Sequence, residues 1–258
     1  MNRTHTIRTS SRNQSQARPQ DLGVPLSVWL TDPLTGCCQV CREPASAACA
    51  QRLPLGLVQQ ITEAFSKPGE VVFTPDAGNA SALIAPARCG RKVYGLVRGS
   101  DHGRRTHQRF TDEAAEVASL AIIRNAPVPG ALASQSQRIA SRAALAILAP
   151  HTPTTSIELA ALIDSCARAL RPDGVLVIAA RQAAGQDLAG HLVVHAQAAG
   201  LVYLQHIVAV EATAGQGRLI PTAADGSDHG PNCGGHPTGP GAGRHALVHN
   251  DLLVFTRP

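Results

Sequence analysis

Aromatic residues are scarce in this chain of 258 residues: one tryptophan, two tyrosines and four phenylalanines, 3% of the whole. Grips on unpaired nucleobases are built from such rings, and no obvious stacking residue stands out. Trp29, Tyr94 and Tyr203 are read as core or edge-packing residues. Lysine is nearly absent as well, with Lys67 and Lys92 alone, so arginine carries the net charge of +5. No apolar run reaches the roughly 18 residues that span a bilayer. The N-terminus is polar throughout, so a cytoplasmic location is the default expectation. No Gly-x-Ser-x-Gly, Walker loop or Gly-x-Gly-x-x-Gly occurs, which leaves hydrolase, nucleotide triphosphatase and nicotinamide readings without support.

The seven cysteines are odd in number and read as reduced thiols rather than a disulfide framework. Cys37, Cys38, Cys41 and Cys49 include a Cys-x2-Cys pair, but structural zinc wants four tetrahedral ligands. Using Cys37 and Cys38 together is strained, so free thiols are preferred and zinc is the alternative. His229, Cys233, His236, His245 and His249 match no metal spacing, and no metal site is expected there.

What is present alternates. Residues 1–22 hold four arginines and few apolar groups, the composition of a disordered basic arm. Residues 23–258 read as one α/β domain, with a flexible Gly/Pro-rich loop over 213–244. The run 53–65 places Leu57, Val58, Ile61 and Phe65 at helical spacing, and "EVVFTP" follows as a buried strand. A helix ended by Gly90 leads to a second strand, 92–97. The stretch 112–123 is either one helix or a short helix running into the strand "AIIRN", and "PVPGALASQSQR" reads as a connecting loop. Strand 143–150 precedes an amphipathic helix over 156–174, with Thr155 and Ser156 as caps and Gly174 as its stop. Strand 175–180, helix 187–200, strand 201–212 and a closing strand complete the pattern. Such alternation builds a mainly parallel sheet covered on both faces, with ligands at the carboxyl ends of its strands. The loops that begin at Thr74, Val97 and Ala149 are therefore the places to search.

Between Arg88 and Arg109 stand seven basic residues, Arg88, Arg91, Lys92, Arg98, Arg104, Arg105 and Arg109, against one acid, Asp101. Such a block suits phosphates, and DNA is the candidate partner; a solvated edge is the plainer reading.

The order of elements, the "KPGEVVF" entry, "RALRPDGVLVI" before a strand and the terminal "HNDLLVF" resemble the class I S-adenosylmethionine-dependent methyltransferases, specifically the DNA methylases of adenine N6 and cytosine N4. The resemblance implies a Rossmann-like sheet with a reversed last strand, S-adenosylmethionine as cofactor, and methyl transfer to a base amino group. The family's D-P-F-x-G-x-G-T loop aligns with Thr74 to Ser81, where Pro75 and Gly78 match, Thr74 replaces the acid and Ala80 replaces the second glycine. The resemblance thus puts Pro75, Asp76, Gly78 and Asn79 at the cofactor. Val97 stands where an acid takes the ribose hydroxyls, with Asp101 as a substitute, and Asn125 stands near the adenine. The catalytic [D/N/S]-P-P-[Y/F/W] motif aligns with Ala149-Pro150-His151-Thr152, which leaves Pro150 and His151 beside the transferred methyl. Two readings stay open: an active methyltransferase, and a catalytically inactive methylase-like protein that binds nucleic acid or a partner chain.

Overall fold

The computed structural model describes residues 26–31, 53–77, 80–97, 99–126, 129–150, 155–180, 188–215, 218–221 and 249–258. The basic arm, the cysteines at 37–49 and most of the Gly/Pro-rich loop lie outside them. The strands are β1 (Leu26–Thr31), β2 (Val71–Thr74), β3 (Lys92–Val97), β4 (Ala121–Asn125), β5 (Ala143–Leu148), β6 (Leu170–Ala180), β7 (Val202–Gly215), β8 (Arg218–Pro221) and β9 (His249–Thr256). The helices are α1 (Leu55–Phe65), α2 (Ser81–Arg88), α3 (Ser100–Ala114), α4 (Pro129–Gln137), α5 (Ser156–Ala169) and α6 (Leu188–Ala198).

The sheet runs β1-β7-β9-β6-β5-β2-β3-β4, with β8 paired to β7 outside that path. Neighbours pair in parallel except at β9, which is antiparallel to both β6 and β7. The Rossmann-like sheet with a reversed last strand is therefore present. Alternate residues of each strand feed opposite faces, because a strand's side chains have a period of two. On β5, Ala146 and Leu148 pack with α4, α5 and α6, while Leu145 and Ile147 pack with α1. A third cluster under α2 and α3 holds Leu83, Ile84, Val93, Val97 and Phe110. Among the described residues, no helix is long and apolar enough to cross a membrane.

Local signals account for several boundaries. Gly90 sits at φ +76°, and the N–H groups of Gly90 and Arg91 donate to Ala87 and Pro86, which closes α2 as a Schellman motif. Thr155 and Glu158 exchange hydrogen bonds as a capping box at the start of α5.

Other expectations need correction. The stretch 129–137 is helix α4, not a loop. Its apolar residues are too few to show periodicity, and packing fixes it instead, through buried Leu132 and the Tyr94 hydroxyl donating to Gln135 at 3.0 Å. Helix α5 stops at Ala169 rather than Gly174, because Pro172 lacks a helical donor and Asp173 takes φ +61°. Those residues form an irregularity inside β6, whose pairing with β5 slips between Ala143 and Leu145. The strand "AIIRN" is real, but the helix before it begins at Ser100 and a 3₁₀ segment, Ala115–Leu120, joins the two. Finally, β7 extends to Gly215 and folds back as a hairpin with β8, where loop was expected.

Candidate functional site

The strands β2, β3, β4, β5 and β6 all end on one edge of the sheet, and β9, being reversed, begins there. Thr74 closes β2 opposite Gly95 of β3. It is 1% exposed, and its Oγ1 has no hydrogen-bond partner. Leaving a buried hydroxyl unpaired costs about 1–3 kcal/mol, so this hydroxyl is unexplained by folding. Gly95 permits the crowding: a Cβ there would stand 2.4 Å from Leu83 Cδ2, 3.3 Å from Thr74 Oγ1 and 3.6 Å from Ala77 Cβ. After Thr74 come buried Pro75, half-buried Asp76 and buried Ala77, whose N–H donates to Leu96 O at 2.7 Å. Gly78 and Asn79 fall outside the described residues.

Ala80, which stands where the resembled loop has its second glycine, fits its place. The residue sits at φ −54°, ψ −25°, ordinary right-handed backbone that does not call for glycine. Its Cβ joins the cluster under α2 and α3, so an alanine at this position imposes no backbone strain.

Val97 behaves differently. It is 2% exposed and its side chain packs under α3, where a Cβ on Gly103 would come within 3.0 Å of Val97 Cγ2. No acid ends β3. Asp101 occupies the second position of α3, beyond Gly99. Asn125, exposed at the end of β4, is paired in register with Val97. Pro150 is buried just past β5, on the strand next to β2, so the fold brings Pro75, Asp76 and Pro150 to adjoining strand ends. His151 lies outside the described residues.

Of the seven basic residues Arg98 lies outside the described residues, and the other six do not form one surface. Lys92 opens β3, at the end of the strand away from α3 and about 17 Å from Val97. Arg91 is 5% exposed and donates to Ser66 O at 2.6 Å, Cys89 O at 2.5 Å and Ser66 Oγ at 3.1 Å. It is an internal clamp at the end of α1, which corrects its reading as a phosphate contact. Arg88 pairs with Glu116 at 3.1 Å and Arg109 with Glu113 at 2.6 Å. Arg104 and Arg105 are exposed on α3.

Sequence reasoning passed over Asn250, near the start of β9. It is 3% exposed, and its Nδ2 has no hydrogen-bond partner. Thr74 Oγ1 and Asn250 Nδ2 are the only buried side-chain atoms left unpaired among the described residues. The signal was a polar triplet, His249-Asn250-Asp251, opening a strand that is otherwise apolar up to Phe255. Asp251, by contrast, is matched, with His206 Nε2 2.8 Å from its Oδ1.

No protein-family profile matches the chain, and no curated protein matches it in sequence. Solved structures do match. A precorrin-6y C5,15-methyltransferase from Geobacter metallireducens superposes with a TM-score of 0.53 at 14% identity, over 79% of this chain and 89% of that one. An S-adenosylmethionine-dependent O-methyltransferase from Thermotoga maritima gives 0.52 at 12% identity, over 83% and 71%. A protein assigned as a sarcosine dimethylglycine methyltransferase from Galdieria sulphuraria gives 0.43 at 17%; this chain spans 60% of itself and 62% of that protein, and the match carries no weight. At such identities the first two show the fold, and the chain has the Rossmann-like methyltransferase fold.

Proposed function

We propose that this protein binds S-adenosylmethionine over the carboxyl ends of β2, β3 and β4 and transfers its methyl group to an acceptor held above β5, β6 and β9. One observation carries the reading: the unpaired, buried Thr74 hydroxyl at the end of β2, in a sheet of methyltransferase topology. When bound, the cofactor supplies an electrophilic methyl group on sulfur. Thr74 Oγ1 gives its polar groups a donor and acceptor, Asp76 sets a carboxylate at the rim, and the Asn125 amide stands at the nucleoside end.

The fit is incomplete at the ribose. Val97 offers no acceptor to the hydroxyls, which weakens binding by about 1–3 kcal/mol for each buried hydroxyl left unpaired. Methyl transfer to a base amino group of DNA is the finer form of this reading. It is supported by the "RALRPDGVLVI" and "HNDLLVF" runs and by exposed Arg104 and Arg105 on the helix after β3. The buried Val97 favours a second reading, an inactive methylase-like protein that binds nucleic acid or a partner chain.

Thermal-shift titration with S-adenosylhomocysteine separates them. A ligand at a hundred times its dissociation constant stabilises the folded state by about 2.7 kcal/mol. The wild type should show this rise. Thr74→Val should keep or improve the melting temperature without ligand and lose much of the ligand response. A flat wild-type titration refutes the cofactor reading. Radiolabelled methyl transfer to oligonucleotides then tests the DNA acceptor.

A further inference from the structure

Asn250 has an amide nitrogen that no hydrogen bond of the fold uses. Its Nδ2 is unpaired at 3% exposure, while Leu252 and Val254, on the same face of β9, are fully buried and apolar. Valine in that row would suit both the neighbours and the strand, because β-branched residues favour pleated, buried surfaces and asparagine does not. The register places Asn250 beside the proposed site. Ala180 pairs with Asp251, and Leu148 pairs with Ile178, so Pro150, Ala180 and Asp251 fall in one row across β5, β6 and β9. Asn250 is one step beyond that row, at the edge where the strands open. Two strand spacings separate β5 from β9, about 10 Å, the length of a small one- or two-ring molecule. Thr74 is one strand farther on, beyond β5.

We infer that Asn250 is the acceptor-side anchor of the site, its amide nitrogen donating a hydrogen bond to a carbonyl or carboxylate oxygen of a small planar substrate. The inference rests on the proposed methyl-transfer reading for the name "acceptor", but the contact itself stands on the unpaired amide. With the residue 3% exposed and its Nδ2 itself covered, a ligand reaches the amide only as a narrow group that displaces its cover, not as a broad surface. That favours an oxygen on a small molecule, or on one extruded base, over the backbone of a folded partner.

The test uses the full chain with nicotinamide as the carbonyl probe and benzoate as the carboxylate probe. The Asn250 side-chain amide signal is identified in nitrogen-15 spectra by its loss in Asn250→Val. One or both probes should shift that signal in the wild type, and their affinity should fall about tenfold in Asn250→Val, the loss of roughly one hydrogen bond. Without ligands, Asn250→Val should melt at the same temperature as the wild type or higher. S-adenosylhomocysteine should bind both proteins alike. A lower melting temperature for Asn250→Val makes the amide structural and overturns the inference. So does equal probe binding by the two proteins, or no response of the wild-type signal at millimolar probe. Failure of S-adenosylhomocysteine to bind either protein refutes the cofactor reading instead and leaves the probe result to decide Asn250 by itself.

Discussion

Replacing Arg91 with alanine should destabilise the fold by about 3 kcal/mol and lower the melting temperature by about 6–12 °C, taking roughly 2–4 °C per kcal/mol for a domain of this size. The magnitude comes from what the guanidinium satisfies. Its donors reach Ser66 O at 2.6 Å and Cys89 O at 2.5 Å, with further contacts to Ser66 Oγ and to Thr62 O at 3.4 Å. Thr62 O keeps other partners, the N–H and hydroxyl of Ser66. Two carbonyls therefore lose a charged donor, each such bond being worth about 1.5–3 kcal/mol. Both belong to half-buried residues that water can partly reach, which pulls the sum toward the lower figure. The positive charge also sits at the carboxyl end of α1, where it complements the helix dipole. Arg91→Lys keeps the charge but not the fork, and should recover a minor part of the loss. Urea melts at two salt concentrations measure this, and the loss should change little with salt because the group is buried. A melting temperature within 2 °C of the wild type for Arg91→Ala, with a reduced salt dependence of DNA binding, would show that Arg91 meets phosphate and is no clamp.

Two further outcomes follow from packing and charge. Gly95→Ala sets a methyl group 2.4 Å from Leu83 Cδ2, so the buried Leu83 side chain must move; urea denaturation should show a loss of about 1–3 kcal/mol, and an unchanged midpoint refutes the crowding. Burial pushes the Glu70 carboxyl up, but the Lys67 N–H and the Arg171 guanidinium at 2.6 Å outweigh it and hold the group below its ordinary 4.5. A depressed carboxyl contributes stability that is full above 4.5 and is lost as pH falls through the lower folded value. Glu70→Gln should thus be less stable than the wild type at neutral pH and converge with it in acid; a difference independent of pH would refute the pairing.

The sheet was legible because its strands are short apolar runs set between helix stops, as at Gly90. α4 was not, since one leucine among small polar residues gives no stripe; its position is fixed by Tyr94 and by α5, contacts far away in the chain. The break at Asp173 was hidden for a related reason. "RALRPDG" continues a helical pattern, and only pairing with β5 and the closing strand settles where the strand begins. At the site, alignment identified Thr74, Ala80 and Val97 as departures but could not weigh them. Backbone angles make Ala80 harmless, burial makes Val97 serious, and a missing partner makes Thr74 informative. Asn250 escaped notice because an unpaired amide is a property of surroundings, which no local pattern in "HNDLLVF" records.

Val97 also bears on how a ribose-binding acid could be built into this fold. With its side chain committed beneath α3 and almost touching Gly103, a single change to aspartate would bury a carboxylate in an apolar cluster, at a cost of several kcal/mol. The penalty falls on the free protein, before any ligand can offset it. One substitution cannot therefore install a ribose-binding acid here without first weakening the fold. An acid at this position would need α3 to withdraw first, whereas the exposed end of β4 is open to change, because Asn125 can be replaced without disturbing the core.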